Sequence, residues 1–389
     1  MASRKALPRR RVVAGGIGLA LGSLGTAAAR EQPSVLPRRF RAYEVGDGKS
    51  DLTLHMVERP MPAPGPGEVL LKVRATGLNA RDLSLMRNVR IYGGAGGSPT
   101  RVPLDDNACE VVRLGAGVNR IAPGDRVVVT HFPRWIDGAW NDEAMSGLDF
   151  SVNADGFLAE YVVVGAEGLV KIPATIADEA AATFPNAGLT AWHAVVVDSG
   201  IRPGDVLVTL GTGGVSVYGM QWAKMMGARV VVTSSSDEKL ARMRQLGADV
   251  GINYRSRPEW HKDVLAATGG RGADVVLNTV GIGELERCLL ACGSNGRVME
   301  IGANPVRRTG PAVEAAGLRD FPRGMLMKGL TIRGVIVGSR RMLEDLVQAA
   351  VANRIAPVID RVFPFDQALA AVRYMESGEK VGKIVIKIA

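Results

Sequence analysis

Val206-Leu207-Val208-Thr209-Leu210-Gly211-Thr212-Gly213-Gly214-Val215-Ser216-Val217-Tyr218-Gly219 decides how this chain reads. An apolar run suited to a buried strand passes into a glycine turn, and the turn opens a helical segment. Gly211 permits the tight turn, and Gly213 lets the backbone approach a pyrophosphate. The helix that follows presents unpaired N–H groups and its positive dipole end to that anion. Ser216 stands where a third glycine would complete the fingerprint, a place that a small side chain can fill.

The same alternation continues downstream. Strands are predicted over 206–210, 229–234, 250–253, 274–280, 296–301 and 330–337, with helices at 215–226, 237–246, 259–267 and 282–291 between them. Ser235-x-x-Glu238 has capping-box spacing at the start of the second helix, and Gly247 follows its end. Upstream, from Arg41 to Glu167, short strands broken by Gly and Pro predict a mainly β domain. A further helix is expected near 342–352, and 357–389 reads as strand, helix, strand. The fold class is α/β. A Rossmann doubly wound parallel sheet at 168–340 accompanies a mainly β domain at 41–167, and 341–389 forms a C-terminal helix and strands.

The end of the second Rossmann strand discriminates between dinucleotides. An NAD site places Asp or Glu roughly 20 residues after the first glycine, to take the ribose 2′-hydroxyl. Here Thr233-Ser234-Ser235-Ser236 carries no carboxylate before Asp237. Hydroxyls can donate to a 2′-phosphate and Lys239 can neutralise it, which favours NADP(H) over NAD(H). The plainer alternative makes Ser235 a helix cap and Lys239 a solvated charge.

Composition sets the outer limits. The 48 glycines in 389 residues are about 12%, against a usual share of roughly 7%, in keeping with many tight turns or close ligand approaches. The net charge of +9 does not describe a nucleic-acid binder, because eight of those charges fall within residues 1–41 and the body is nearly neutral. Arg9-Arg10-Arg11, an uncharged run 12–29 and Ala27-Ala28-Ala29 resemble a twin-arginine export signal. Residues 1–29 are therefore expected to address the chain to the periplasm or beyond, with 30–40 as linker and no stable membrane insertion after cleavage. A chain whose segment does not work as a signal stays cytoplasmic. Cys109, Cys288 and Cys292 are too few for a disulfide framework and read as buried thiols, and the absence of Cys-x-x-Cys excludes a structural zinc site of the thiolate kind. Met225-Met226 and Met325-x-Met327 read as core filler.

Several ordered motifs together resemble the medium-chain dehydrogenase/reductase superfamily in its zinc-independent, alcohol-dehydrogenase-like and quinone-oxidoreductase-like branches. They are Pro64-Gly65-Pro66-Gly67-Glu68-Val69, Gly77-Leu78-Asn79-Ala80-Arg81-Asp82, Gly124-Asp125-Arg126-Val127, Ala187-Gly188-Leu189-Thr190-Ala191-Trp192, the glycine turn, Gly247-Ala248-Asp249 and Val381-Gly382-Lys383-Ile384-Val385-Ile386. The resemblance implies that the β domain is GroES-like and completed by 357–389. It also implies a homodimer, a small-molecule substrate and a cofactor in the cleft between domains. That cleft would be lined by Thr190, Gly211, Gly213, Gly214, Val215, Ser235, Lys239 and Tyr254, with Gly281, Gly302 and Val337 near the nicotinamide.

Zinc-dependent members of the family carry a Cys, a His-Glu pair and a later Cys or Asp. Here those positions read Asn79, Asp105-Asp106 and Asn186, a poor zinc set, so no metal is expected. Without a Lewis acid, reduction of a quinone, enone or activated carbonyl is chemically easier than oxidation of a simple alcohol. A zinc-free alcohol or aldehyde oxidoreductase and an inactive dinucleotide sensor are the competing readings. Tyr92 is the best-placed phenol for a proton donor, with solvent as the alternative, and Asn79 could hydrogen-bond a substrate oxygen. Asp105 and Asp106 either face the cleft or cap a turn. His131, Trp135 and Trp140 either wall the cleft or pack.

Overall fold

β-Branched and apolar runs on both sides of the glycine turn build two large sheets and a two-stranded one. The computed structural model describes residues 36–45, 54–87, 101–145, 149–302 and 321–389. The expected signal 1–29 and Tyr92 lie outside the described residues. The first strands are β1 (Arg39–Val45) and β2 (Leu54–Pro60), which pair with each other. β1 therefore begins within the stretch assigned to a linker, and Arg38–Ala389 packs as one unit.

Next come β3 (Glu68–Leu78), β4 (Ala108–Leu114), β5 (Arg126–Val129), β6 (Tyr161–Gly165) and β7 (Leu169–Lys171). The Rossmann strands are β8 (Val206–Leu210), β9 (Arg229–Ser234), β10 (Val250–Asn253), β11 (Ala273–Asn278), β12 (Cys292–Glu300) and β13 (Thr331–Gly334). β14 (Ile359–Pro364) and β15 (Lys383–Lys387) complete the chain's strands.

One sheet has the order β14-β15-β3-β4-β5-β7, with β6 also on β3. β15 runs antiparallel to β3, so the C-terminal segment does return to the β domain. The other sheet is parallel, ordered β10-β9-β8-β11-β12-β13. Its order reverses between β8 and β11, and a crevice opens at the carboxyl ends of those strands. The helix Gly214–Met225 packs closely on this sheet because Gly219 lacks a side chain: a Cβ there would lie 2.4 Å from Leu277 Cδ1. Ser216, at the expected third-glycine position, instead donates its hydroxyl to the Leu210 carbonyl at 2.8 Å.

The second Rossmann helix, Asp237–Gln245, is capped by Ser236, whose Oγ accepts from Lys239 N. The cap is thus one residue later than the Ser235 spacing suggests, which leaves Ser235 free for another role. The helical stretch 184–198 contains two wide π-helical turns, Phe184–Gly188 and His193–Asp198, around Leu189–Trp192. Such turns rotate side chains off the regular helical faces.

All three cysteines are buried and unpaired. Met225, Met226 and Met325 pack against the cores, but Met327 is 78% exposed, which corrects its reading as core filler. Trp135 is buried and packs on Trp140 and His193, so these aromatics are packing rather than cleft wall. No helix among the described residues is long and apolar enough to cross a membrane.

Candidate active site

The crevice at the strand reversal is a cleft of about 1500 Å³ running between the two sheets. Its Rossmann wall is Leu210–Val215, Thr233–Ser236, Thr279–Val280 and Ile301–Gly302; the opposite wall carries Asn79, Asn186, Thr190 and 381–383. The walls meet at the glycine turn, where Gly382 donates its N–H to the Thr212 carbonyl at 2.9 Å.

Each glycine of the turn has a different reason. Gly211 sits at φ 79°, which disfavours any side chain, and its N–H goes to Thr233 O at 2.9 Å. Gly214 is forced by the protein itself: a Cβ would lie 2.6 Å from Lys383 Cδ. Gly213 is neither strained nor crowded, with φ −75° and nothing within 4 Å of an added Cβ. The space its missing side chain leaves opens onto the cleft at the N-terminus of Gly214–Met225, where a pyrophosphate would be held by backbone N–H groups. The residues present therefore fit a dinucleotide.

At one end of the cleft lie Ser235, Lys239, Tyr254 and Arg255. The Lys239 ammonium donates to the Gly378 carbonyl at 2.6 Å, bridging to the opposite wall. Tyr254 is 41% exposed, with its N–H on Ser234 O. Among the described residues the Ser235 hydroxyl and the Arg255 guanidinium make no hydrogen bond or ion pair. Sequence reasoning missed Arg255, although it directly follows Tyr254 on a glycine-free turn.

The loops after β11 and β12 cross back to back. Asn278 accepts from the N–H groups of Val280 and Gly281 and donates to Gly281 O and Glu300 Oε2. Gly281 and Gly302 allow the crossing, since a Cβ at 281 would lie 2.3 Å from Gly302 O. Gly302 lines the cleft with Val337, whereas Gly281 stands behind it.

The floor of the cleft is a buried polar network. Lys383 Nζ lies 2.6 Å from each of Leu78 O, Asn79 Oδ1 and Asp106 Oδ2. Asn79 Nδ2 donates to Asp105 (3.1 Å) and Asp106 (2.9 Å). Asn186 donates its side chain to Asp105 Oδ2 and its backbone N–H to Asp106 Oδ1. His131 Nδ1 donates to Asp105 Oδ2 at 2.6 Å, and its Nε2 accepts from Arg81, which also pairs with Asp149.

Asp105 and Asp106 thus neither face the cleft nor cap a turn. They lie beneath the residues that line it. Both amide hydrogens of Asn79 and its oxygen are engaged in the network, so a substrate oxygen would have to displace one of these partners. The Thr190 hydroxyl borders the cleft with no partner among the described residues.

The charges of the floor are sorted by environment. Burial alone would push the Asp105 carboxyl up, but the Arg81 charge and hydrogen bonds from His131 and Asn186 outweigh it and hold it well below the usual carboxylate range. Burial and the neighbouring Asp105 push Asp82 up strongly, and its Oδ1 has no partner, as suits a carboxyl that keeps its proton. Burial raises Asp106 as well, against the pull of Lys383.

A zinc ion does not fit this donor set. The oxygens at the expected metal position are already satisfied by N–H donors, and an ammonium stands among them, where a dication would meet like charge. Among the described residues no group of three or more His, Cys, Asp or Glu is placed to hold a metal.

Two family models cover most of the described fold. Residues 65–174 match the alcohol dehydrogenase GroES-like domain, and residues 214–352 match the zinc-binding dehydrogenase domain. A zinc-type alcohol dehydrogenase-like protein of Schizosaccharomyces pombe is 36% identical over 83% of this chain and 91% of its own length. The chain belongs to the medium-chain dehydrogenase/reductase superfamily.

As a medium-chain dehydrogenase/reductase it is an NAD(P)-dependent oxidoreductase acting on a small molecule. Two solved members illustrate the range. An NAD-dependent alcohol dehydrogenase superposes with a TM-score of 0.78 at 30% identity, covering 90% of this chain and 100% of its own. The 2-octenoyl-CoA carboxylase reductase CinF of a Streptomyces species, solved with NADP and 2-octenoyl-CoA, superposes at 0.75 with 26% identity, covering 90% and 88%. The superfamily's two-domain architecture is the one expected from sequence, GroES-like part included.

Proposed function

We propose that this medium-chain dehydrogenase/reductase is an NADPH-dependent, zinc-independent reductase of a quinone, enone or activated carbonyl. The Lys383 ammonium, seated against Asp106 and Asn79 at the expected metal position, carries the reading. With a lysine there in place of a Lewis acid, a substrate whose own π-system receives the electron pair suits the site better than an alcohol that must ionise.

The bound nicotinamide would supply the hydride. The protein's part is to hold the pyrophosphate at Gly213, exclude water with the two walls and keep the reacting carbon near Thr190. Its hydroxyl, unengaged among the described residues, is offered to a substrate oxygen. Protons come from solvent or from Tyr92.

The preference for a 2′-phosphate rests on the absence of a carboxylate at the end of β9 and on the free Ser235 hydroxyl and Arg255 guanidinium. Lys239 supports it less directly, because its ammonium would have to leave Gly378 O. In a fluorescence titration, NADPH is expected to bind at least about tenfold tighter than NADH, and Arg255→Ala to weaken NADPH by about tenfold while sparing NADH. Tighter binding of NADH would remove the 2′-phosphate reading.

We also propose a homodimer formed along β13. Among the described residues this strand is the sheet edge, its outer residues are exposed, and Leu326 and Met327 in the helix just before it are 81% and 78% exposed. Sedimentation should find a dimer that Leu326→Asp converts to monomer. A wild-type monomer at micromolar concentration would end this proposal.

A further inference from the structure

His193 is a buried titratable group to which the mechanism above gives no part. It is 6% exposed and does not line the cleft, yet it holds residues that do. Its Nδ1 lies 3.1 Å from both Ile336 O and Val337 O, and its Nε2 lies 3.2 Å from Asp198 Oδ2. All three partners can only accept. Nδ1–H is therefore the donor to the two carbonyls, and the ring is held between them and Asp198.

Burial would raise the Asp198 carboxyl, but hydrogen bonds and charge from His193 and Arg333 outweigh it and hold the group below its ordinary value, as a carboxylate. Arg333 Nε reaches Asp198 Oδ2 at 3.1 Å, tying β13 to the pair. The Trp135 ring lies edge-on to His193, 5.7 Å away.

β13 ends at Gly334, and among the described residues the chain from Val335 to Gly338 has no strand partner beyond Val335 N–H on Glu300 O. The path of this cleft-lining segment is set by the packing of Val335 and Val337 in the core and by what its carbonyls bind. We infer that His193 is a positioning residue for the nicotinamide end of the cleft: its ring, paired with Asp198, gathers the Ile336 and Val337 carbonyls and so fixes the wall against which the nicotinamide would lie. The inference rests on the proposed placing of the dinucleotide, with its nicotinamide beside Gly302 and Val337.

The test compares NADPH with 2′-phospho-ADP-ribose, which lacks only the nicotinamide, and in parallel NADH with ADP-ribose. His193→Leu should weaken the complete dinucleotide by about tenfold and leave the truncated ligand unchanged, from the loss of the hydrogen bonds that shape the wall. His193→Asn, which keeps an N–H near the carbonyls, should recover most of the affinity. Asp198→Asn gives the same readout with the ring in place if Leu at position 193 prevents folding, and an intermediate loss confined to the complete dinucleotide is expected.

A purely structural histidine would alter thermal stability and affect both ligands alike. Equal effects on both ligands, or none in a folded variant, would overturn the inference while leaving the proposed function standing. A wild type that binds the complete and truncated ligands equally would overturn the placing of the nicotinamide, and the inference with it.

Discussion

Gly213→Val is expected to fold and to lose dinucleotide binding by about a hundredfold or more, because a branched side chain fills the space that the pyrophosphate needs and forfeits charged hydrogen bonds there. The backbone at 213 suits any residue, and an added Cβ meets no protein atom within 4 Å. The stability cost should stay near 1 kcal/mol, the penalty of a poorer residue at a helix N-cap. Calorimetric titration and denaturant unfolding of the same sample separate the two effects. Undiminished affinity would mean that the phosphates do not lie at this turn. Gly214→Val is the control with the opposite pattern, since its side chain would strike Lys383 and Ala187 rather than a ligand.

Lys383→Met should destabilise the protein by about 3–5 kcal/mol, the usual cost of leaving a buried charge without its partner. Asp106 is fully buried and the lysine side chain is 3% exposed, so water cannot take the place of the ammonium. Lys383→Met combined with Asp106→Asn removes both charges and should recover a large part of the loss. Urea unfolding of the three variants measures this directly. A single variant within about 1 kcal/mol of wild type would show that Asp106 is protonated in the native state and that the pair is not ionic.

The Rossmann half was the more legible in sequence. β8, β9 and β10 fall on the predicted residues, because apolar runs between a glycine turn and capped helices admit little else. β12 was harder: its strand was expected to begin at Gly296, whereas it starts at Cys292. In the structure Cys292 already pairs with Ala273, and Gly293-Ser294-Asn295-Gly296 form a bulge carrying Asn295 at φ 59°. A tight turn and a bulge call for the same residues, so local sequence does not tell them apart.

The cofactor side of the cleft was legible for a similar reason: each glycine answers to a local geometric need. The floor was not. Asn79, Asp106, Asn186 and Lys383 come from four distant stretches, and what joins them is hydrogen bonding that only the closed fold creates. The one available signal was chemical, the loss of zinc ligands together at three positions. That loss gave no hint that a lysine from β15 would stand in the gap. His193 was hidden in the same way, since the carbonyls it binds lie more than 140 residues away.

The pairing of β15 with β3 has a kinetic side. The contact between Lys383 and Leu78 spans 305 positions, whereas successive parallel strands of the other sheet are joined by short crossovers. Closing so long a loop costs entropy before any contact rewards it, so high contact order makes this the slow step of folding. The Rossmann half can assemble from near neighbours while the first sheet still lacks β15. The cleft, whose floor and glycine turn both depend on Lys383 and Gly382, is then the last part of the molecule to acquire its shape.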